Sequence, residues 1–339
     1  MGSVFKREPP PLAVRYMIGV FLEGFVAPLM LGFEKFGRGE RPFRSFHARQ
    51  LKQLRKHNPF RNYMPSRHDV FVAAYVKSGT NWMMQIAHQL LNHGKGEFGH
   101  IHEVVPWPES TIVPPMRKYA IPLEDDSVWQ QSPEQKRVIK THLTWEFLPY
   151  SPDARYILVI RDPKDVLVSG YFFFGNAMGR ARPSIDTWLR LFLSDNFFYG
   201  PWASHNAGYW AQRRRPNVLV LSFKAMKRDL RGAVERVADF LEVRVSADIL
   251  SAVCERASFE YMKRIDNKFE MWPIIPWRST TRMLRKGTQG GASELLSLEQ
   301  QRQIDAYFQS ELDRIASDLP YEEFANLAQG MTAAHLKRA

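Results

Sequence analysis

Residues 69–82 read DVFVAAYVKSGTNW, and they decide the fold. The first half, DVFVAAY, is an unbroken apolar run of the kind that forms a strand buried on both faces. Gly79 then lets the chain turn, and TNWMMQIAHQLLNH continues as an amphipathic helix. Strand, glycine turn and helix start together make an anion site. Successive backbone N–H groups face one point, the helix start adds partial positive charge, and Lys77, Ser78 and Thr80 donate from their side chains. The order is not that of a Walker A loop, because the lysine precedes the glycine here instead of following the glycines. Taken alone, the segment reads equally well as a plain strand-to-helix turn carrying a surface lysine.

Working outward, RVIKTH (137–142), RYILVIR (155–161) and NVLVLSF (217–223) are three further buried strands. DPKDVLVSGYFFF opens a helix at Pro163, where proline suits the first turn. Residues 102–135 are rich in proline and poorly periodic, so a long loop is expected there. Residues 183–215 read as helices rich in aromatics. NKFEMWPIIPWRSTTRMLRKGTQGGA (267–292) reads as a second long loop, of the kind usually kept for binding. Ser297 with Gln300 three residues on makes a capping box for a last helix to about residue 317. Strands alternating with helices predict an α/β fold: a mostly parallel central sheet flanked by helices, with ligands at the carboxyl ends of the strands. The expected division is a 1–67 apolar and basic segment, a 68–325 α/β domain and a 326–339 tail.

The chain has 339 residues, 45% of them hydrophobic, enough to bury a large core. Its single cysteine, Cys254, excludes an intrachain disulfide and points to a reducing, cytoplasmic setting. The net charge of +12 calls for an anionic partner. Ten Lys or Arg stand against two acids between residues 34 and 67, so this stretch alone carries +8. The rest is only mildly basic, which argues against a nucleic-acid-binding surface. Just upstream, YMIGVFLEGFVAPLMLGF (16–33) is apolar except for Glu23 and is interrupted by Pro28. Three readings stay open: a helix on or partly in an anionic membrane surface backed by the basic stretch, a true span, or a helix packed on this protein or a partner.

Other segments offer matching chemistry. Arg161 ends a buried strand and Ser169 lies two helical turns on, so both can face one crevice, where a guanidinium grips a phosphate bidentately. A pairing of Arg161 with Asp162 or Asp165 is the alternative. Arg285, Lys286 and Gly287 fall in the flexible 267–292 loop. KTH (140–142) ends a strand expected beside the glycine turn: His142 there suits a general base, and Lys140 suits growing negative charge, although strand-end histidines are often structural. The aromatics Phe172, Phe173, Phe198 and Trp272 suit either an apolar pocket or ordinary core packing.

In this order and spacing, over roughly residues 69–290, these segments resemble the PAPS-dependent sulfotransferases of the cytosolic type, PAPS being 3′-phosphoadenosine 5′-phosphosulfate. By that resemblance Lys77, Ser78, Gly79, Thr80 and Asn81 hold the 5′-phosphosulfate and Trp82 stacks on the adenine. RDPKDVLVS is similar to the family's 3′-phosphate segment, which gives Arg161 and Ser169 to that group. RKG gives Leu284, Arg285, Lys286 and Gly287 to the same end of the donor. KTHL makes His142 the base with Lys140 and Lys77 as electrostatic partners, and HEVVPWPE (102–109) makes Trp107 a wall of the acceptor pocket. Where the family has a tyrosine and an acid, this chain has Phe223 and Lys224. Its Thr before Ser-Phe is Ala257, with Ser258 and Phe259 retained. The dimer motif after RKGTQG has no match. The implied reaction is in-line sulfuryl transfer to a hydroxyl or amine of a small acceptor, lipophilic or lipid-linked if the amino-terminal segment meets a membrane, with no metal required. A nucleotide kinase or NTPase, or a non-catalytic nucleotide-fold protein bound to membrane, is the alternative.

Overall fold

The computed structural model describes residues 5, 7–43, 46–112, 118–197, 199–272, 275–278, 283–284 and 291–331. The four apolar runs form the four strands of one parallel sheet: β1 (Asp69–Ala74), β2 (Arg137–Thr141), β3 (Arg155–Ile160) and β4 (Val218–Ser222), in the order β2-β1-β3-β4. Val70 pairs with Val138 on one side and Arg155 on the other, and Tyr156 pairs with Val218. All six residues of β1 are buried, as an all-parallel sheet covered on both faces requires. One face packs Val70, Val72 and Ala74 against Met83, Ile86 and Leu90 of the helix Thr80–Leu91. The other packs Phe71 and Ala73 with Trp188, Trp202 and Phe308 from the carboxyl-terminal half.

The chain leaves β1 for β2 at one edge and returns across to β3, so the direction of winding reverses beside β1. An open parallel sheet binds ligands at such a point, beyond its carboxyl ends. The expected helices stand at Pro163–Met178, Ile185–Phe192 and Trp202–Trp210. Ser297 and Gln300 form the capping box of Leu298–Arg314, which ends slightly before the expected residue 317.

The amino-terminal apolar run is one helix from Leu12 to Lys35. Pro28 does not break it. The turn ahead of the proline widens into a π-helical segment, Leu22–Val26, which absorbs the missing backbone donor. The basic stretch that follows contains the helix Phe46–Lys56. At the other end, Ala328 N donates to Asp305 and Asn326 N to Asp162, so residues 326–328 are tied to the sheet domain.

Candidate active site

Each of the four strands delivers a site residue from its carboxyl end. After β1 the chain turns tightly, with φ of 65° at Lys77 and 98° at Gly79. Gly79 is required twice over: φ lies in the left-handed region, and a Cβ would stand 2.7 Å from the ring of Phe223, the residue that follows β4. β2 ends in Lys140 and Thr141 and leads to His142. β3 leads to Arg161. Lys77, Gly79, Lys140, His142, Arg161 and Phe223 line one cavity of about 380 Å³, together with Thr80, Asn81, Trp82, Trp107, Ser169, Phe173, Ser258, Phe259 and Leu284.

The cavity holds positive charge in excess. Burial, and then repulsion from Arg161, lowers the Lys77 ammonium to about 7. Burial lowers Lys140 to about 7 as well; Glu109 partly offsets this, and Lys77 adds repulsion. Each ammonium also lies over an aromatic face, Lys77 over Phe173 at 4.1 Å and Lys140 over Trp107 at 3.6 Å. Arg161 donates to the Lys77 carbonyl (2.9 Å), lies over Phe223 (4.5 Å) and stands 3.7 Å from Asp165. This arginine lines the cavity and has the acidic neighbour Asp165. Ser78 Oγ and Thr80 Oγ1 are buried without a hydrogen-bond partner among the described residues. A buried hydroxyl without a partner calls for a ligand.

His142 is held at one ring nitrogen. Its Nδ1 lies 2.8 Å from the Ala74 carbonyl oxygen, which only accepts, so Nδ1 carries the proton and the Nε2 lone pair is left to the cavity. Burial, then Lys140, pushes its pKa well below the ordinary histidine value, so the ring is neutral. His142 N and Thr141 Oγ1 both donate to Glu109 Oε1 at 2.6 Å. His205 Nε2 lies 3.2 Å from the His142 carbonyl, and Tyr209 donates to that of Leu143 (2.9 Å).

The other sequence candidates distribute as follows. Trp82 lines the cavity, donates through Nε1 to the Ala257 carbonyl (2.7 Å) and meets Phe223 edge-on, so the Phe223 and Ala257 departures sit together at one end. Trp272 does not line the cavity: it is edge-on to Tyr119 at 5.0 Å, which in turn packs on the lining ring of Trp107. Phe172 does not reach the cavity; it packs against Tyr171. Phe198, Arg285, Lys286 and Gly287 lie outside the described residues. Tyr199, one of the aromatics the sequence offers for an apolar pocket, lines the cavity; sequence reasoning did not single out Glu109, Lys227, Met271 or Met283, of which the last three line it. Glu109 closes the segment PWPE but reaches His142 only through the fold. Among the described residues no group of three His, Cys, Asp or Glu is placed to hold a metal ion.

A parallel sheet whose strand ends converge on one cavity lined by Lys77, Lys140 and Arg161 is the arrangement of the nucleotide-binding α/β class. The family model for the sulfotransferase domain matches residues 67–316. Sulfotransferase 2A1 of Rattus norvegicus is 30% identical over 274 residues, 79% of this chain and 92% of that protein. Sulfotransferase 2A6 of Mus musculus is 32% identical over 251 residues, 72% and 84% of the two chains. Among solved structures, retinol dehydratase with androsterone and the inactive cofactor PAP superimposes with a TM-score of 0.65 at 21% identity, over 80% of this chain and 88% of that one. This chain belongs to the sulfotransferase family and is a sulfotransferase enzyme.

Proposed function

We propose that the chain moves a sulfuryl group from PAPS to the hydroxyl of a small lipophilic acceptor, with His142 as general base. One observation carries this reading: two buried lysines and a neutral histidine with an available Nε2 line the same cavity at the carboxyl ends of β1 and β2.

The residues fit the donor. Lys77, Ser78, Gly79, Thr80 and Asn81 hold its 5′ end, where Ser78 Oγ and Thr80 Oγ1 otherwise have no described partner. Trp82, Phe223, Ser258 and Phe259 border the adenine, and Arg161 and Ser169 take the 3′-phosphate, with Leu284 in the same lining. The donor supplies an electrophilic sulfur and an anionic leaving group. His142 Nε2 accepts the proton of the acceptor hydroxyl as its oxygen attacks. Lys140 and Lys77 hold the negative charge that develops on the transferred group and on the departing phosphate. Glu109 fixes His142 through its backbone.

On the acceptor side the wall is aromatic and thioether: Trp107, Phe173, Tyr199, Met271 and Met283. Such a wall suits a fused-ring or chain alcohol, of which the androsterone bound to the retinol dehydratase neighbour is an example. The reading places the enzyme in the cytoplasm, peripheral on an anionic membrane face through residues 16–67. Titration with adenosine 3′,5′-bisphosphate and with adenosine 5′-phosphate tests the donor assignment. The bisphosphate binds tighter to the native chain, and Arg161→Ala removes most of the difference. Equal affinities for the native chain overturn it.

A further inference from the structure

Nine of the thirteen exposed large apolar side chains among the described residues fall between Leu12 and Phe36, including Met17, Phe21, Phe25 and Phe36, each at least 60% exposed. The opposite stripe of the same helix is docked on the catalytic half at both ends. A Cβ at Gly19 would meet the Trp277 ring at 2.5 Å, and Glu23 Oε1 takes Arg278 Nε at 2.7 Å. Glu34 accepts from Ser184 Oγ and Thr187 Oγ1, both at 3.0 Å. From Gly19 to Glu34 is about 22 Å of helix, so the helix lies along the domain instead of standing away from it.

From these contacts we infer that this helix lies in the plane of an anionic bilayer surface and seats the acceptor mouth on it, so that the acceptor is a membrane-resident amphiphile. The inference rests on the sulfotransferase reading for the acceptor's fate, not for the membrane contact. Three observations carry it. First, a helix bound along its length to a water-soluble domain cannot cross a membrane, yet its free face is too apolar for water. Second, the charge beside it is complementary to anionic lipid. Both acids of the 34–67 stretch are turned inward, Glu34 as above and Glu40 towards Arg190, which leaves nine exposed Lys and Arg among the described residues between Lys35 and Arg67. Third, the helix and the pocket share a wall. Met271 lines the cavity, Trp272 packs on Tyr119, which packs on Trp107, and six residues later Trp277 and Arg278 hold the helix.

Flotation of the full chain with phosphatidylcholine vesicles, with and without phosphatidylserine, tests the inference. Binding is expected only with the anionic lipid. Phe21→Asp with Phe25→Asp abolishes it, and Lys52→Glu with Arg55→Glu and Lys56→Glu weakens it by roughly a hundredfold. A tag at the amino terminus stays open to protease on sealed vesicles, and transfer to a water-soluble phenol is unchanged in the Phe21/Phe25 variant. Absence of vesicle binding overturns the inference. A protected tag overturns it in favour of a span. A dimer that the Phe21/Phe25 variant dissociates overturns it in favour of a second copy covering the face. If vesicle binding follows the expected pattern but no sulfuryl transfer is found, the catalytic reading fails and the membrane contact stands.

Discussion

At the scale of single residues, the account turns on which proton His142 carries. The Ala74 carbonyl fixes Nδ1–H, and burial beside Lys140 keeps the ring neutral, so Nε2 is a base throughout the neutral range. His142→Ala lowers kcat by roughly a hundred- to ten-thousandfold while leaving the affinity for adenosine 3′,5′-bisphosphate nearly unchanged, as steady-state kinetics with titration calorimetry will show. The two lysines predict a pH dependence of a different kind. Both titrate near 7 in the ligand-free protein, and a bound anion raises both. Below that pH they are already charged, and nucleotide affinity is at its plateau. From about pH 7 to 9 binding has to take up protons, so affinity falls as pH rises. Calorimetry in buffers of different ionisation enthalpy reads this uptake directly, and binding without proton uptake at pH 8 contradicts it.

At the scale of elements, the short turn Pro108–Ile112 matters because it carries Glu109 to the end of β2. Glu109 touches no reacting atom on this account; it is a positioning residue. Glu109→Gln lowers kcat by roughly tenfold with the donor KM preserved, because His142 N keeps an oxygen acceptor of weaker charge. A parallel loss of donor affinity, or of folding, would make its role merely structural. Gly79→Ala acts on the turn itself: it strains the left-handed backbone and pushes Phe223, and weakens nucleotide binding by roughly tenfold in the same titration. The strands were legible because fully buried parallel strands are continuous apolar runs, and the turn after β1 was legible because its residues are contiguous. Glu109 was not, since its partners lie about thirty residues away and meet it only because Lys140 N donates to the Pro106 carbonyl (2.9 Å), which lays the turn after it against the end of β2. The continuity of helix 12–35 through Pro28 was hidden for a related reason. A proline signals a break in isolation, whereas a π-turn ahead of it restores the helix once the neighbours are packed.

For the whole molecule, the carboxyl-terminal half is secured by a buried polar knot that no local pattern announces. Asp305 takes Lys164 Nζ, Tyr321 hydroxyl (2.7 Å) and Ala328 N (2.7 Å), joining the helix after β3 to the last helix and the chain beyond it. Asp305→Ala leaves the buried Lys164 ammonium with Asp162 alone at 3.3 Å and takes the acceptor from the Tyr321 hydroxyl and Ala328 N, which costs roughly 3 kcal/mol of stability, measurable as a drop in the urea midpoint. The docking of residues 12–35 was equally invisible: composition left membrane, span and packing open, and only the contacts of Gly19, Glu23 and Glu34 show which stripe is used. The claim that joins these scales is sulfuryl transfer assisted by His142. The direct measurement is incubation of the purified chain with sulfur-labelled PAPS and a hydroxysteroid, native beside His142→Ala. The account predicts label in the steroid with the native chain and almost none with the variant; equal labelling by both, or none by either while the nucleotide is bound, would contradict it.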